Sequence, residues 1–206
     1  MSQWLCKDKI IEYGKNTVIM GIVNVTPDSF SDGNCFFEPE KAVNHALELI
    51  DQGADIIDLG AQSTRPNYTE ITPQEEWERL RPVIEELRNA DKTVTISVDT
   101  YFPYVAEKAV KAGADIINDV SGVVTPEMAK IVKNTRCGWI LMHNGSGSVP
   151  EVEAFFKKAI KECLDFGIEK SQICVDMGIG FGKDYSQNLE LISKISTYKP
   201  SDIPLL

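Results

Sequence analysis

Residues 21–33, Gly-Ile-Val-Asn-Val-Thr-Pro-Asp-Ser-Phe-Ser-Asp-Gly, pass from an apolar run into a segment crowded with hydrogen-bonding side chains. Ile19, residues 21–23 and Val25 read as a buried strand, and Asn24 sits where that run stops. Pro27, the hydroxyls of Thr26, Ser29 and Ser31, the carboxylates of Asp28 and Asp32, and Phe30 follow. A loop of this composition has no reason to pack inward and carries too many polar groups for a spacer, so it reads as a ligand loop on the end of a rigid strand. The pattern recurs. Asp58, Asp99, Asn118 with Asp119, His143 with Asn144, and Asp176 each close another apolar run. Carboxylates and amides at successive strand ends are what a parallel α/β protein uses to build a site at the carboxyl edge of its strands. Any one of them could instead start a turn or cap a helix; their recurrence favours the site.

The elements that must hold these residues follow a repeated order of apolar run, loop and helical segment. The runs are residues 18–25, 55–59, 93–98, 115–120, 138–142 and 173–175. Their starts lie roughly 20–40 residues apart, which suits βα units. Asp-Ile-Ile-Asp-Leu at 55–59 and Ile-Val-Asn-Val at 22–25 read as apolar on both faces, which predicts a parallel sheet covered on each side. Thr72-Pro-Gln-Glu75 predicts a capping box with proline at the first helical position, and Trp77, Leu80, Ile84 and Leu87 follow at helical spacing. Pro82 is expected to interrupt or kink that helix. Thr125-Pro126 opens another helix, and Gly53, Gly113 and Gly167 suit C-terminal caps. No linker, low-complexity tract or charge block divides residues 1–206, which predicts one domain.

Composition narrows the function. The net charge of −10 argues against nucleic acid and anionic membranes as partners. It leaves room for a small anionic substrate, because a local donor such as Arg65 can dominate a cleft. No apolar run is long enough to span a membrane, and the N-terminus lacks the layout of a signal peptide. Five scattered cysteines without a C-x-x-C pair predict thiols in a reducing cytoplasm. With two histidines in the chain, a His/Cys zinc site is not expected; His45, inside a helical pattern, reads as structural. Gly178-Ile-Gly-Phe-Gly182 is a weak dinucleotide signal, since it departs from G-x-G-x-x-G and comes late in the chain. Strand-end polar residues drawn from the whole sequence fit a barrel mouth better than an open sheet.

Three groups of residues now carry a resemblance. Asn24-Val-Thr-Pro-Asp-Ser-Phe-Ser-Asp-Gly33 resembles the first signature of the dihydropteroate synthases, and Ser63-Thr-Arg-Pro66 resembles their second. Ser97-Val-Asp-Thr100, Ile116-Ile-Asn-Asp119, Met142-His143 and Asp176-Met-Gly-Ile-Gly-Phe-Gly-Lys183 match further strand ends in the family's order, from about residue 17 to the end. The resemblance implies a parallel (β/α)8 TIM barrel. It implies condensation of 6-hydroxymethyl-7,8-dihydropterin diphosphate with 4-aminobenzoate, with release of diphosphate and use of Mg²⁺.

By that resemblance, Asp99, Asn118 and Asp176 hold the pterin. A carboxylate accepts two hydrogen bonds from an amino group and a neighbouring ring N–H, and an amide both donates and accepts. Asp99 and Asp176 would also stabilise the cationic methylene-pterin that develops as diphosphate departs. Met142 and Phe181 would wall the ring, although Met142 could equally be core. Asn24 offers a neutral oxygen to Mg²⁺. Thr64 and Arg65 would bind the diphosphate or close a loop over it, with Pro66 stiffening that loop. Together with residues 25–33 they would keep water from a reactive cation.

Asn34, Met177 and Asn144-Gly-Ser-Gly147 depart from the family pattern at loops. Ile203-Pro-Leu-Leu206 looks like the beginning of a seventh barrel strand, and the family's Ser-Arg-Lys and Arg-x-His motifs do not occur in the sequence. It therefore reads as about six βα units plus the start of strand 7, a barrel domain lacking its last two units. Activity of the 206-residue chain alone does not follow from the resemblance, and a homodimer is implied only for a full-length chain. Two other functions compete. One is a methyltetrahydrofolate:corrinoid methyltransferase, which shares the barrel and the Asp/Asn set but has no diphosphate to cradle. The other is a non-catalytic pterin-binding paralogue.

Overall fold

The computed structural model describes residues 2–25, 39–62 and 71–206. The ligand loop from Thr26 to Gly33, Asn34, and the Thr64-Arg65-Pro66 motif lie outside the described residues. A hairpin of β1 (Ser2–Cys6) and β2 (Lys9–Tyr13) precedes six strands: β3 (Met20–Asn24), β4 (Ile56–Gly60), β5 (Thr95–Asp99), β6 (Ile116–Asp119), β7 (Gly138–Met142) and β8 (Ile173–Asp176). These six occupy one sheet in chain order, the arrangement that successive βα units produce. The chain divides into two compact units, residues 17–117, and residues 1–16 with 118–206.

In the first unit β3, β4 and β5 are parallel, with Ile22, Asp58 and Ser97 in one register row and Asn24, Gly60 and Asp99 in the next. Helices α1 (Pro39–Asp51), α2 (Pro73–Ala90) and α3 (Pro103–Ala112) complete it. Because side chains alternate along a strand, Val23, Ile57, Leu59, Ile96 and Val98 share one face. They pack with Val43 and Ala46 of α1, Leu80, Ile84 and Leu87 of α2, and Val105 and Ala109 of α3. Asp58, Thr95, Ser97 and Asp99 occupy the other face, and the first three are buried. Ile56 shares this second face with Asp58, and all five positions of β4 are buried, so the sheet here is covered on each side as expected, with polar side chains among those on the second face.

Thr72 caps α2, its hydroxyl accepting from Glu75 N at 3.2 Å. The Glu75 carboxylate is held by Arg79 one turn on. Pro82 lies inside α2, which continues through it for 18 residues; four buried side chains along its apolar face offset the one lost backbone bond. At the far end Arg88 donates to the carbonyl oxygens of Asp91, Val94 and Gly113 and to Asp115 Oδ2 at 2.7 Å. Asp115 Oδ2 also accepts from Ile96 N. A single half-buried guanidinium thus fastens the end of α2, the start of β5 and the turn into β6.

In the second unit β7 and β8 are parallel, with Met142 opposite Asp176. Helices α4 (Pro126–Thr135), α5 (Val149–Asp165), α6 (Tyr185–Ser193) and α7 (Ile195–Tyr198) accompany them. Thr125 caps α4 as expected, accepting from Met128 N. The N-terminal hairpin closes the amino end of these strands. Trp4 Nε1 donates to Gln172 O at 2.9 Å, and Gln172 Nε2 donates to the carbonyls of Val132 and Cys137. A Cβ at Gly138 would stand 2.8 Å from Cys6 Sγ and 3.0 Å from the Trp4 ring, so the hairpin requires glycine there. At the C-terminus Val175 N donates to Pro204 O and Leu206 N to Val175 O, so the expected further strand begins to pair along β8.

Candidate functional site

The polar strand ends are built differently in the two units. In residues 17–117, Asn24 ends β3, exposed, and Asp99 ends β5, half-buried. Gly60 lies between them in the same row, so the Asp99 carboxylate extends over a position without a side chain. Thr100, directly after Asp99, is buried and its hydroxyl contacts Glu76 of α2. Burial pushes the Glu76 carboxyl up to about 7, against the opposing pull of the Thr100 hydrogen bond and Arg79. Gln62 Nε2 donates to the Tyr101 hydroxyl at 3.0 Å, tying the segment after β4 to the one after β5.

In residues 118–206, Asn118 is buried on β6. Asp119, beside it, accepts from Ser121 Oγ and N, and burial raises its carboxyl above the ordinary range. Asp119 is thus the turn-forming member of that pair. Met142 is 1% exposed and Asp176 half-buried, and the two are direct register partners. Met142 is core as well as neighbour to the carboxylate. Asp176 Oδ1 accepts from Gly178 N at 2.7 Å. Burial raises the Asp176 carboxyl, while the Gly178 N–H and the Lys183 charge oppose the rise. Phe181 is half-buried in the loop after β8.

His143 follows Met142, with its ring edge-on to Phe155 and its pKa lowered chiefly by burial and then by the Lys183 charge. His45 is an exposed residue of α1 beside Glu48. Thr100 and Lys183 end sequence motifs without a role assigned from sequence, and Glu76 carries no sequence motif. Glu76 follows the capping position of an amphipathic helix and looks solvated by type, and Lys183 ends a motif whose glycines drew attention first. The sequence signal for Glu76 is its helical spacing from Leu80, Val83 and Leu87 on the buried side of α2.

Among the described residues, no three His, Cys, Asp or Glu side chains are placed to hold a metal ion, and no helix is long and apolar enough to cross a membrane. Within residues 118–206, Asn118, Asp176 and the glycine-rich loop after β8 present an amide and a carboxylate of the kind that hydrogen-bond the edge of a flat polar heterocycle.

The model of the pterin binding enzyme family matches residues 20–206. Dihydropteroate synthase of Clostridium beijerinckii is 41% identical, over 96% of this chain and 76% of that one. Dihydropteroate synthase of Bacillus subtilis is 40% identical, over 97% and 72%. The structure of Xanthomonas albilineans dihydropteroate synthase with 4-aminobenzoic acid superposes with a TM-score of 0.91 at 38% identity, covering 100% of this chain and 77% of that one. The parallel α/β barrel class expected from the strand pattern is therefore the fold of this chain, which spans about three quarters of those relatives' length. The chain belongs to the pterin-binding enzymes and, among them, to the dihydropteroate synthases, transferases of folate biosynthesis.

Proposed function

We propose that Asp99, Asn118 and Asp176 bind the dihydropterin ring of 6-hydroxymethyl-7,8-dihydropterin diphosphate, with Met142 and Phe181 along its faces, and that 4-aminobenzoate attacks its methylene carbon. The observation that carries this reading is the Met142–Asp176 pair. An apolar side chain and a carboxylate stand side by side at the ends of β7 and β8, with one carboxylate oxygen already oriented by Gly178 N. That arrangement offers a ring both a face to lie against and an edge to bond. As the C–O bond to diphosphate breaks, positive charge grows on the methylene-pterin. Ionised Asp99 and Asp176 stabilise it without reorganising, because each is anchored at a strand end. The arylamine nitrogen then forms the C–N bond and loses a proton, while the electron pair of the broken bond leaves with diphosphate.

Thr64, Arg65 and Pro66 are assigned to the diphosphate from their sequence motif alone. Asn24 fits a Mg²⁺ ion that arrives with the diphosphate. It presents a neutral oxygen at an exposed strand end, and Mg²⁺ commonly takes one or two protein oxygens, several waters and substrate phosphates. When bound, the ion would neutralise charge on the leaving group. Cys6, Cys137, Cys163 and Cys174 are buried thiols, which suits a reducing cytoplasm. The charge of −10 leaves small molecules, rather than nucleic acid or membrane, as partners, with a homodimer as the assembly the family resemblance implies.

The test is diphosphate release measured with dihydropterin diphosphate and Mg²⁺, with and without 4-aminobenzoate. Release that depends on 4-aminobenzoate and yields dihydropteroate supports the reading. Pterin binding without turnover would leave only a binding role for the 206-residue chain.

A further inference from the structure

Lys183 is 8% exposed, and the acceptors around its ammonium are neutral. Nζ lies 2.9 Å from His143 O, 3.1 Å from Gly145 O, 2.9 Å from Gly178 O and 3.4 Å from Phe181 O. Three N–H donors therefore serve four carbonyls from two loops, the one after β7 and the one after β8. The glycines are shaped to this arrangement. A Cβ on Gly178 would collide with the His143 carbonyl, and one on Gly182 would stand 2.8 Å from Gly145 Cα.

The contacts close a circuit around Asp176. His143 N donates to Asp176 O at 2.8 Å, and His143 O accepts from Lys183. Lys183 also donates to Gly178 O, and Gly178 N donates to Asp176 Oδ1. Phe181 N donates to the same Gly178 O, so the aromatic residue hangs from the circuit as well. Taking an ammonium out of water is costly, and an apolar side chain could fill the space without that cost. A charge kept here needs a use, and the carboxylate it faces is Asp176.

We propose that Lys183 is a positioning residue for pterin binding, whose ammonium locks the His143–Ser146 and Gly178–Phe181 segments together and holds Asp176 and Phe181 in their ligand-bearing geometry. The inference rests on the function proposed above for Asp176. The Lys183 charge also favours the ionised Asp176 that an amino edge requires. The other titratable groups around this cluster are Cys174 on β8, with Lys199 acting on it, and His143 on the loop after β7, with Glu151 of α5 acting on it.

The experiment compares the 206-residue protein with Lys183→Met and Lys183→Gln, using 6-hydroxymethylpterin as the probe across pH 4–8. Binding by the unmodified protein tests the functional reading itself; the change between proteins tests the role of Lys183. The expected result is at least tenfold weaker pterin binding in both variants, with the acid limb of the binding profile displaced to higher pH. A lowered melting temperature with affinity within twofold and an unmoved acid limb would overturn the proposal, because a purely structural staple predicts that outcome. Should both variants fail to fold, hydrogen exchange on the unmodified protein decides. Amides of residues 143–146 and 178–182 should open together and gain protection together with pterin, whereas independent opening of the two loops would overturn it.

Discussion

Gly60 and Asp99 are register partners on β4 and β5, and a Cβ at position 60 would stand 3.4 Å from Asp99 Oδ2. One methyl group meets the carboxylate at ordinary contact distance; a branched side chain does not. Gly60→Ala is therefore expected to retain pterin affinity within about twofold. Gly60→Val should displace the Asp99 carboxylate and weaken binding tenfold or more, on the order of 1.4 kcal/mol. Titration calorimetry with a pterin, alongside a melting curve for each variant, separates displacement of Asp99 from loss of fold.

Replacing the carboxylates by amides tests their charge with little change in shape. A hydrogen bond to a charged group contributes about 1.5–3 kcal/mol, so Asp99→Asn or Asp176→Asn should each lower kcat/KM by roughly 10- to 150-fold. If the carboxylates stabilise developing positive charge, kcat must fall and not only pterin affinity. Steady-state rates at saturating pterin diphosphate distinguish the two effects, and unchanged kcat would remove the charge-stabilising role.

Glu76 makes stability depend on pH. Its carboxyl is 1% exposed and is raised from 4.5 to about 7 by burial, so the folded protein holds a proton that the unfolded chain has already released. Stability from this group is full below about pH 4.5, declines as pH rises toward 7, and is level above that. The shift corresponds to about 3 kcal/mol as an upper bound. Glu76→Gln is expected to flatten this decline and to raise stability at pH 8 by about 1–3 kcal/mol. Urea midpoints at pH 5 and pH 8 check both statements.

Arg88 and Asp115 form a pair in which both side chains are largely buried. Arg88→Met removes four hydrogen bonds to carbonyl oxygens and the guanidinium partner of the Asp115 carboxylate, which keeps its bond from Ile96 N. Breaking one side of such a pair costs about 3–5 kcal/mol. A chemical-denaturation loss of that size is expected. Arg88→Lys should recover only part of it, since an ammonium cannot span the Val94 and Gly113 carbonyls together.

Much of this was legible from residue order. All six sheet strands fall within the apolar runs or overrun them by one residue, because β-rich segments ending in Asp or Asn are distinctive when repeated. Thr72 and Thr125 announced their helices through local chemistry alone. Asn24, Asp99, Asn118, Met142, Asp176 and Phe181 are placed at strand ends or in the loop after β8, as read. The hairpin at 2–13 was not read, because its apolar residues are short alternations that become a core only against Gly138 and Gln172. The carbonyl cage of Lys183 was equally hidden. Backbone oxygens have no letter in a sequence, and the two loops that supply them lie about forty residues apart.

The bond from Trp4 to Gln172 spans 168 residues, and that distance has a meaning during synthesis. The ribosome makes residues 2–13 long before Gly138 and Gln172, on which they dock. Residues 17–117 form a compact unit that is made in full before either docking partner, while Trp4 is still in water. Loop closure over so long a stretch is entropically late. The indole of Trp4 is thus a natural clock for assembly of this protein, silent until the nascent chain has passed Gln172.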